Sequence, residues 1–139
     1  MIGLRTPVTV TNEYKWYEYH QNNSGGSFQI DDSVSVYVLI QATSAKVANN
    51  IAEDIGIYFD GISKGYDCSC CGDRWREARE ELKAFSVYSW KVNGDRRKEY
   101  DNVNDYAQAL ANEDMWAKKG KPSVVVYFAN GVKQTFYKK

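Results

Sequence analysis

The stretch VSVYVLIQATSAKVANNIAEDIGIYF, residues 34–59, decides the fold class. Val34, Val36, Val38 and Ile40 alternate with Ser35, Tyr37 and Leu39, the two-residue period of a β-strand. Thr43 or Ser44 then supplies a hydroxyl suited to cap a helix. Val47, Ala48, Ile51, Ala52 and Ile55 recur at one-turn spacing, and Gly56 offers the left-handed stop. Ile57, Tyr58 and Phe59 form a short apolar return. A strand followed at once by a one-sided helix requires a sheet for that helix to cover.

Upstream, Tyr14 to His20 alternates aromatic and polar residues on both faces and predicts a strand that pairs with 34–40. Gln21 to Ser27, rich in Asn, Ser and Gly, forms the irregular tip of that hairpin. Residues 1–13 predict an edge strand or an N-terminal arm around Pro7. Downstream, 76–83 predicts a short helix with Glu77, Arg79, Glu80 and Lys83 in solvent. Residues 85–90 predict a strand, and Asn93-Gly94 a turn. A second helix is predicted over 104–112 with Tyr106, Ala107, Leu110 and Ala111 inward. The chain closes with a hairpin, 123–129 against 132–137, turned by Asn130-Gly131. The expectation is one α+β domain over 1–139, an antiparallel or mixed sheet with two to three helices packed on one face.

A chain of 139 residues buries about two-thirds of its unfolded surface, enough for a core without disulfides. Its 18 basic and 18 acidic residues cancel, which removes the broad positive field of a general nucleic-acid binder. The basic excess lies in the second half, where a local anion site fits. No apolar run reaches the length of a membrane span, and the N-terminus opens no signal-peptide pattern. Three cysteines cannot form a complete set of intrachain disulfides. Together these features predict a reducing, intracellular setting.

All three cysteines fall within Asp67-Cys68-Ser69-Cys70-Cys71-Gly72-Asp73-Arg74-Trp75. Cys68, Cys70 and Cys71 are soft ligands suited to zinc, with His20, Asp67 or Asp73 as the fourth donor. Their crowding is unlike the two separated Cys-x-x-Cys pairs of a zinc knuckle, and the same residues also suit small buried side chains. A nucleophilic cysteine would need Arg74 or His20, the single histidine, to activate it. Asn22, Asn23, Ser24, Gly25 and Gly26 offer backbone N–H groups to an anion, although the same residues make an ordinary hairpin tip. Arg74 can grip a phosphate and Trp75 can stack on a base; Arg74 can equally pair with Asp60, Asp67 or Asp73. The three acids can hold magnesium or cap turns, Asp73 standing where an N-cap for the next helix belongs.

Three motifs carry a resemblance: NNSGGSF at 22–28, IGIYFDG at 55–61 and DCSCCGDRW at 67–75. Over roughly residues 14–76 the chain resembles a family of small uncharacterised accessory proteins of tailed bacteriophages. The resemblance implies action in the cytoplasm of a bacterial host, outside the virion, by binding in host takeover or anti-defence.

The expectation is therefore a non-catalytic binding protein. Its ligand would be a host protein or a nucleotide-like anion, held by Asn22, Asn23, Ser24, Gly25, Gly26, Asp60, Asp73, Arg74 and Trp75. Two alternatives stand beside it. One is a small metal-dependent enzyme acting on a nucleotide or nucleic acid; the other is a structural zinc loop at Cys68, Cys70, Cys71 and His20. A second copy of the chain is a further candidate partner.

Overall fold

A computed structural model describes residues 13–89 and 96–139. All but the last residue of the edge strand or arm expected over 1–13, and the turn at Asn93-Gly94, lie outside them. Among the described residues the strands and α-helices follow in the order β1 (Lys15–His20), β2 (Tyr37–Ala42), α1 (Ala45–Asp54), β3 (Ser86–Tyr88), β4 (Arg97–Glu99), α2 (Val103–Asn112), β5 (Val124–Tyr127) and β6 (Lys133–Phe136), with one 3-10 turn at Ser24–Gly26. The architecture is α+β, with one four-stranded mixed sheet and one two-stranded ribbon of β3 and β4.

The large sheet runs β1-β2-β5-β6. β1 lies antiparallel to β2, with Tyr17 opposite Ile40 and His20 opposite Tyr37. β6 lies antiparallel to β5, closed by a turn in which the Gly131 N–H donates to Phe128 O at 3.0 Å and Gly131 stands at φ 92°. The join between the two hairpins is parallel, Tyr37 to Val124 through Ile40 to Tyr127. Ser35 helps to seal it by donating its hydroxyl to Pro122 O.

α1 follows its expected cap, and α2 begins one residue before the expected 104, behind a cap at Asn102. The Ser44 side chain accepts from the Val47 N–H, and the Asn102 side chain from the Asp105 N–H. The strand preceding α1 starts later than its pattern suggests. Val34 and Val36 are buried yet precede β2, so residues 21–36 form a long packed connection. Gln21 ties that connection by donating to Gln29 O and Ser35 O and accepting from the Gln29 N–H.

The two helices cover opposite faces of the sheet, where the pattern had suggested one. Alternation along β2 explains this directly. Val38, Ile40 and Ala42 meet Ala48 and Ala52 of α1, together with Tyr17, Tyr19, Phe59 and Trp75. Leu39 points the other way and joins Val124, Val126 and the Tyr106, Ala107, Leu110 and Ala111 face of α2. Each fully buried Val, Leu or Ile in these two layers contributes roughly 1.5–3 kcal/mol.

The helix predicted over 76–83 is absent; that segment runs without regular structure along β1. Asn49 grips Ala78 at both backbone groups, at 2.9 Å and 3.0 Å, and the Leu82 N–H donates to Trp16 O at 2.8 Å. These tertiary bonds outweigh the helix propensity of its Glu, Arg and Lys residues, because only Ala78 and Leu82 could have formed an apolar stripe. The strand predicted over 85–90 shrinks to β3, and Trp90 lies outside the described residues.

Glu18 sits under α2 and accepts a short hydrogen bond from the Tyr106 hydroxyl. Burial pushes its carboxyl above the ordinary range, with the Tyr106 bond opposing. The folded state therefore holds this proton more tightly than the unfolded chain. Its contribution is greatest below the unfolded value and falls as pH rises through the folded one. Glu18→Gln keeps an acceptor for Tyr106 and removes the desolvated charge. The expected result is a Tm at pH 7 raised by about 3 °C, with a flatter stability profile from pH 4.5 upward. A lower or unchanged Tm in calorimetry would remove this account of Glu18.

Candidate functional site

The two motif-bearing loops meet, and Arg74 is the reason. Its Nε donates to the Tyr58 hydroxyl at 3.1 Å and pairs with Asp67 at 3.9 Å. One terminal nitrogen donates to Gln21 Oε1 and Ser27 O, both at 2.8 Å, and the other to Ser24 O at 3.0 Å. The guanidinium thus closes the 21–27 loop onto the 58–74 loop. Asn22 adds a second seam: its side chain donates to Cys71 O at 2.7 Å and Asp73 O at 3.2 Å, and its N–H to Arg74 O.

Asp67 is the buried centre of this knot, with a side chain fully shielded from solvent. One oxygen accepts from Tyr58 at 2.6 Å and the other from the Arg74 N–H at 2.8 Å. Burial, with the Asp67 hydrogen bond adding to it, raises the Tyr58 phenol above its usual range, so it remains a donor. Gly61 makes room for the arrangement: a Cβ there would lie 1.9 Å from Asp67 Oδ2. Asp60, just before it, adopts φ 57°, a left-handed conformation that Asp tolerates better than most residues.

Several candidate residues take structural roles. Trp75 is only 1% exposed and packs in the layer under α1, so its ring offers no free face for a base. Arg74 is committed to the loop junction, and the ion pair with Asp67 is the alternative that the sequence had offered for it. Asp73 caps no helix; its Oδ1 accepts from the Ile62 N–H at 2.9 Å. Asn23, Gly25 and Gly26 stay exposed, whereas Ser24 is buried. Two buried polar atoms in these loops, Ser24 Oγ and Trp75 Nε1, have no protein partner. Leaving such a group unsatisfied costs about 1–3 kcal/mol, which marks both as places where a water or ligand atom would be favourable.

Two clefts flank the junction. The larger, about 750 Å³, has Phe59 and Trp75 in its lining, with Asp60, Asp73, Glu77 and Glu80 set against Arg76 and Arg79. The smaller, about 400 Å³, is lined by His20, Asn22, Asn23, Asp73, Arg74 and Arg76 among others. Asp73 and Arg76 border both. Neither Arg76 nor Arg79 is a candidate from the residues alone, where the helix expected over 76–83 places Arg79 in solvent.

The three cysteines lie exposed on a turn in which the Cys71 and Gly72 N–H groups both donate to Cys68 O. Cys68 and Cys70 are joined as a disulfide, and the Cys71 sulfur stands 3.6 Å from that of Cys70. All three sulfurs lie within 4.8 Å of one another, and the group could hold a metal ion. Among the described residues no histidine or carboxylate joins that group. His20 instead stacks on Tyr37 at 4.4 Å, where desolvation lowers its imidazole pKa against the opposing charge of Asp114. Asp67 has both oxygens engaged within the knot.

Among the described residues no helix is long and apolar enough to cross a membrane. Neither a curated protein nor a solved structure matches the chain. One family model does, over residues 14–139, so its match spans both the motif-bearing loops and the second half of the sheet. The chain belongs to the family described as a domain of unknown function, DUF7296.

Proposed function

We propose that the protein acts by holding a partner rather than by turning over a substrate, and that the partner is a protein segment carrying both charges. The observation that carries this is the larger cleft. Its four acids, set against Arg76 and Arg79, match a polypeptide of both charges better than a nucleotide, whose phosphates the acids would repel. Arg74, the cation that favoured a nucleotide-like anion, is already saturated by protein acceptors. The unpartnered Trp75 Nε1 gives the neighbouring loop a donor in search of an acceptor. The motif resemblance to small tailed-phage proteins supplies the setting of this proposal, a host factor bound in the bacterial cytoplasm.

The test begins with a photo-crosslinking residue at position 79 in bacterial cells, followed by titration of the purified partner so identified. Saturable binding at fixed stoichiometry is expected, weakened more than tenfold by the double variant Arg76→Glu/Arg79→Glu. Unchanged affinity in that variant, or a nucleotide-sized mass retained in native mass spectrometry, would overturn it.

A second reading rests on the sulfur cluster: once reduced, Cys68, Cys70 and Cys71 hold one zinc ion. Each metal-bound thiol gives up its proton, so uptake requires the Cys68–Cys70 bond to be opened by a dithiol, which is itself oxidised to its disulfide. One zinc per chain is expected under reducing conditions, with release on reoxidation and loss of binding in Cys71→Ser. A metal-free reduced protein would sink this reading.

A further inference from the structure

The face opposite in character to the mixed-charge cleft follows α2. Lys118, Lys119, Lys121, Lys138 and Lys139 line a single cavity of about 390 Å³ with Tyr137, and its lining contains no acid. In a chain of zero net charge this is a marked local concentration. Tyr137 in that lining is 47% exposed, and Trp116, the chain neighbour of the lining residue Ala117, is 63% exposed.

The patch is built. The Lys121 N–H donates to Lys118 O at 3.0 Å, closing a tight turn with Gly120 at φ 80° in the position that demands it. Buried Asp114 fixes both flanks: it accepts from the Trp116 N–H at 3.0 Å and the Ser123 hydroxyl at 2.7 Å, and its carbonyl accepts from Lys138 Nζ at 2.9 Å. On the far side, Tyr137 and Lys121 also line a neighbouring cavity that holds Lys133 but also Asp31 and Asp32, where the positive track ends.

We infer that this surface binds a short stretch of single-stranded nucleic acid. Lysine is a compact point charge that meets phosphate oxygens from many directions. An exposed ring beside such charges gives a base a face to stack on, and that pairing distinguishes a nucleic-acid strand from a merely acidic surface. The contact is local and strongly salt-dependent. With four lysines on phosphates, Lys138 being held on the Asp114 carbonyl, affinity falls about 50-fold between 50 and 200 mM salt.

Fluorescence anisotropy with a labelled twelve-residue oligo-dT on the full chain tests this. Lys118→Glu/Lys119→Glu is expected to weaken binding at least tenfold and to flatten the salt dependence. Trp116→Ala is expected to weaken it about tenfold while leaving the salt slope unchanged. The charge-matched control Lys46→Glu/Lys64→Glu, on exposed positions of α1 and the 60–67 loop, should bind as the parent does. Equal weakening in that control, an unaffected Trp116→Ala, or binding to phosphatidylserine vesicles or polyglutamate in preference to the oligonucleotide would overturn the inference.

Discussion

Replacing Arg74 by alanine is expected to cost about 3–5 kcal/mol, because it strips a shielded carboxylate of its cation and leaves Gln21, Ser24 and Ser27 short of a donor. A domain of this size has roughly 5–15 kcal/mol in total, so the variant would stand close to unfolding. Loss should be concentrated at the loop junction first: hydrogen exchange at 21–27 and 60–74 would accelerate before that of β2 or α2. Arg74→Lys retains the charge but not the planar fork that donates to Tyr58, Gln21, Ser24 and Ser27, and should fall between Arg74→Ala and the parent. Denaturant unfolding that loses less than 1 kcal/mol, with exchange unchanged in both loops, would show that the guanidinium does not join them.

Gly61→Ala is expected to be the other severe substitution, at about 3 kcal/mol or more. Gly61 is required for space rather than for an unusual φ. The added methyl would meet Asp67 at 1.9 Å and the Tyr58 ring at 2.8 Å. Asp67 cannot swing aside without giving up its bonds to Tyr58 and Arg74. A double-mutant cycle separates the two clashes. In an Asp67→Ala background the extra cost of Gly61→Ala should shrink markedly, Tyr58 alone remaining in the way. Simple additivity, measured by equilibrium unfolding, would remove Asp67 as the cause.

What could be read from the residues was what local chemistry controls. Ser44 announces α1, the apolar spacing of Tyr106, Ala107, Leu110 and Ala111 announces α2, and Asn130-Gly131 between alternating residues announces β5 and β6. The parallel contact of β2 with β5 leaves no local mark, since it depends on segments far apart in the chain. The 76–83 segment carries good helix formers and is held otherwise by Asn49, whose amide happens to match the two backbone groups of Ala78. At the site, the motif residues lie together in space, and several of them hold the fold. Arg74 and Trp75, adjacent and conspicuous, turned out to join loops and fill the core, while the less conspicuous Arg76 and Arg79 face the cleft. A tryptophan is first a large apolar body, and only burial decides whether its ring is also available.

The central parallel pair also has a consequence for how the protein is made. Ser35 and its partner Pro122 are separated by 87 residues of chain. During synthesis at about 5–20 residues per second, β2 waits roughly 4–17 s before β5 leaves the ribosome. Through that interval β1 can pair with one edge, while the other edge, with Val38, Leu39 and Ile40, stays open to any extended strand nearby. The bond that unites the two hairpins therefore cannot form until all but the last strand has been made, and that wait is the step at which neighbouring chains would have their greatest influence on yield.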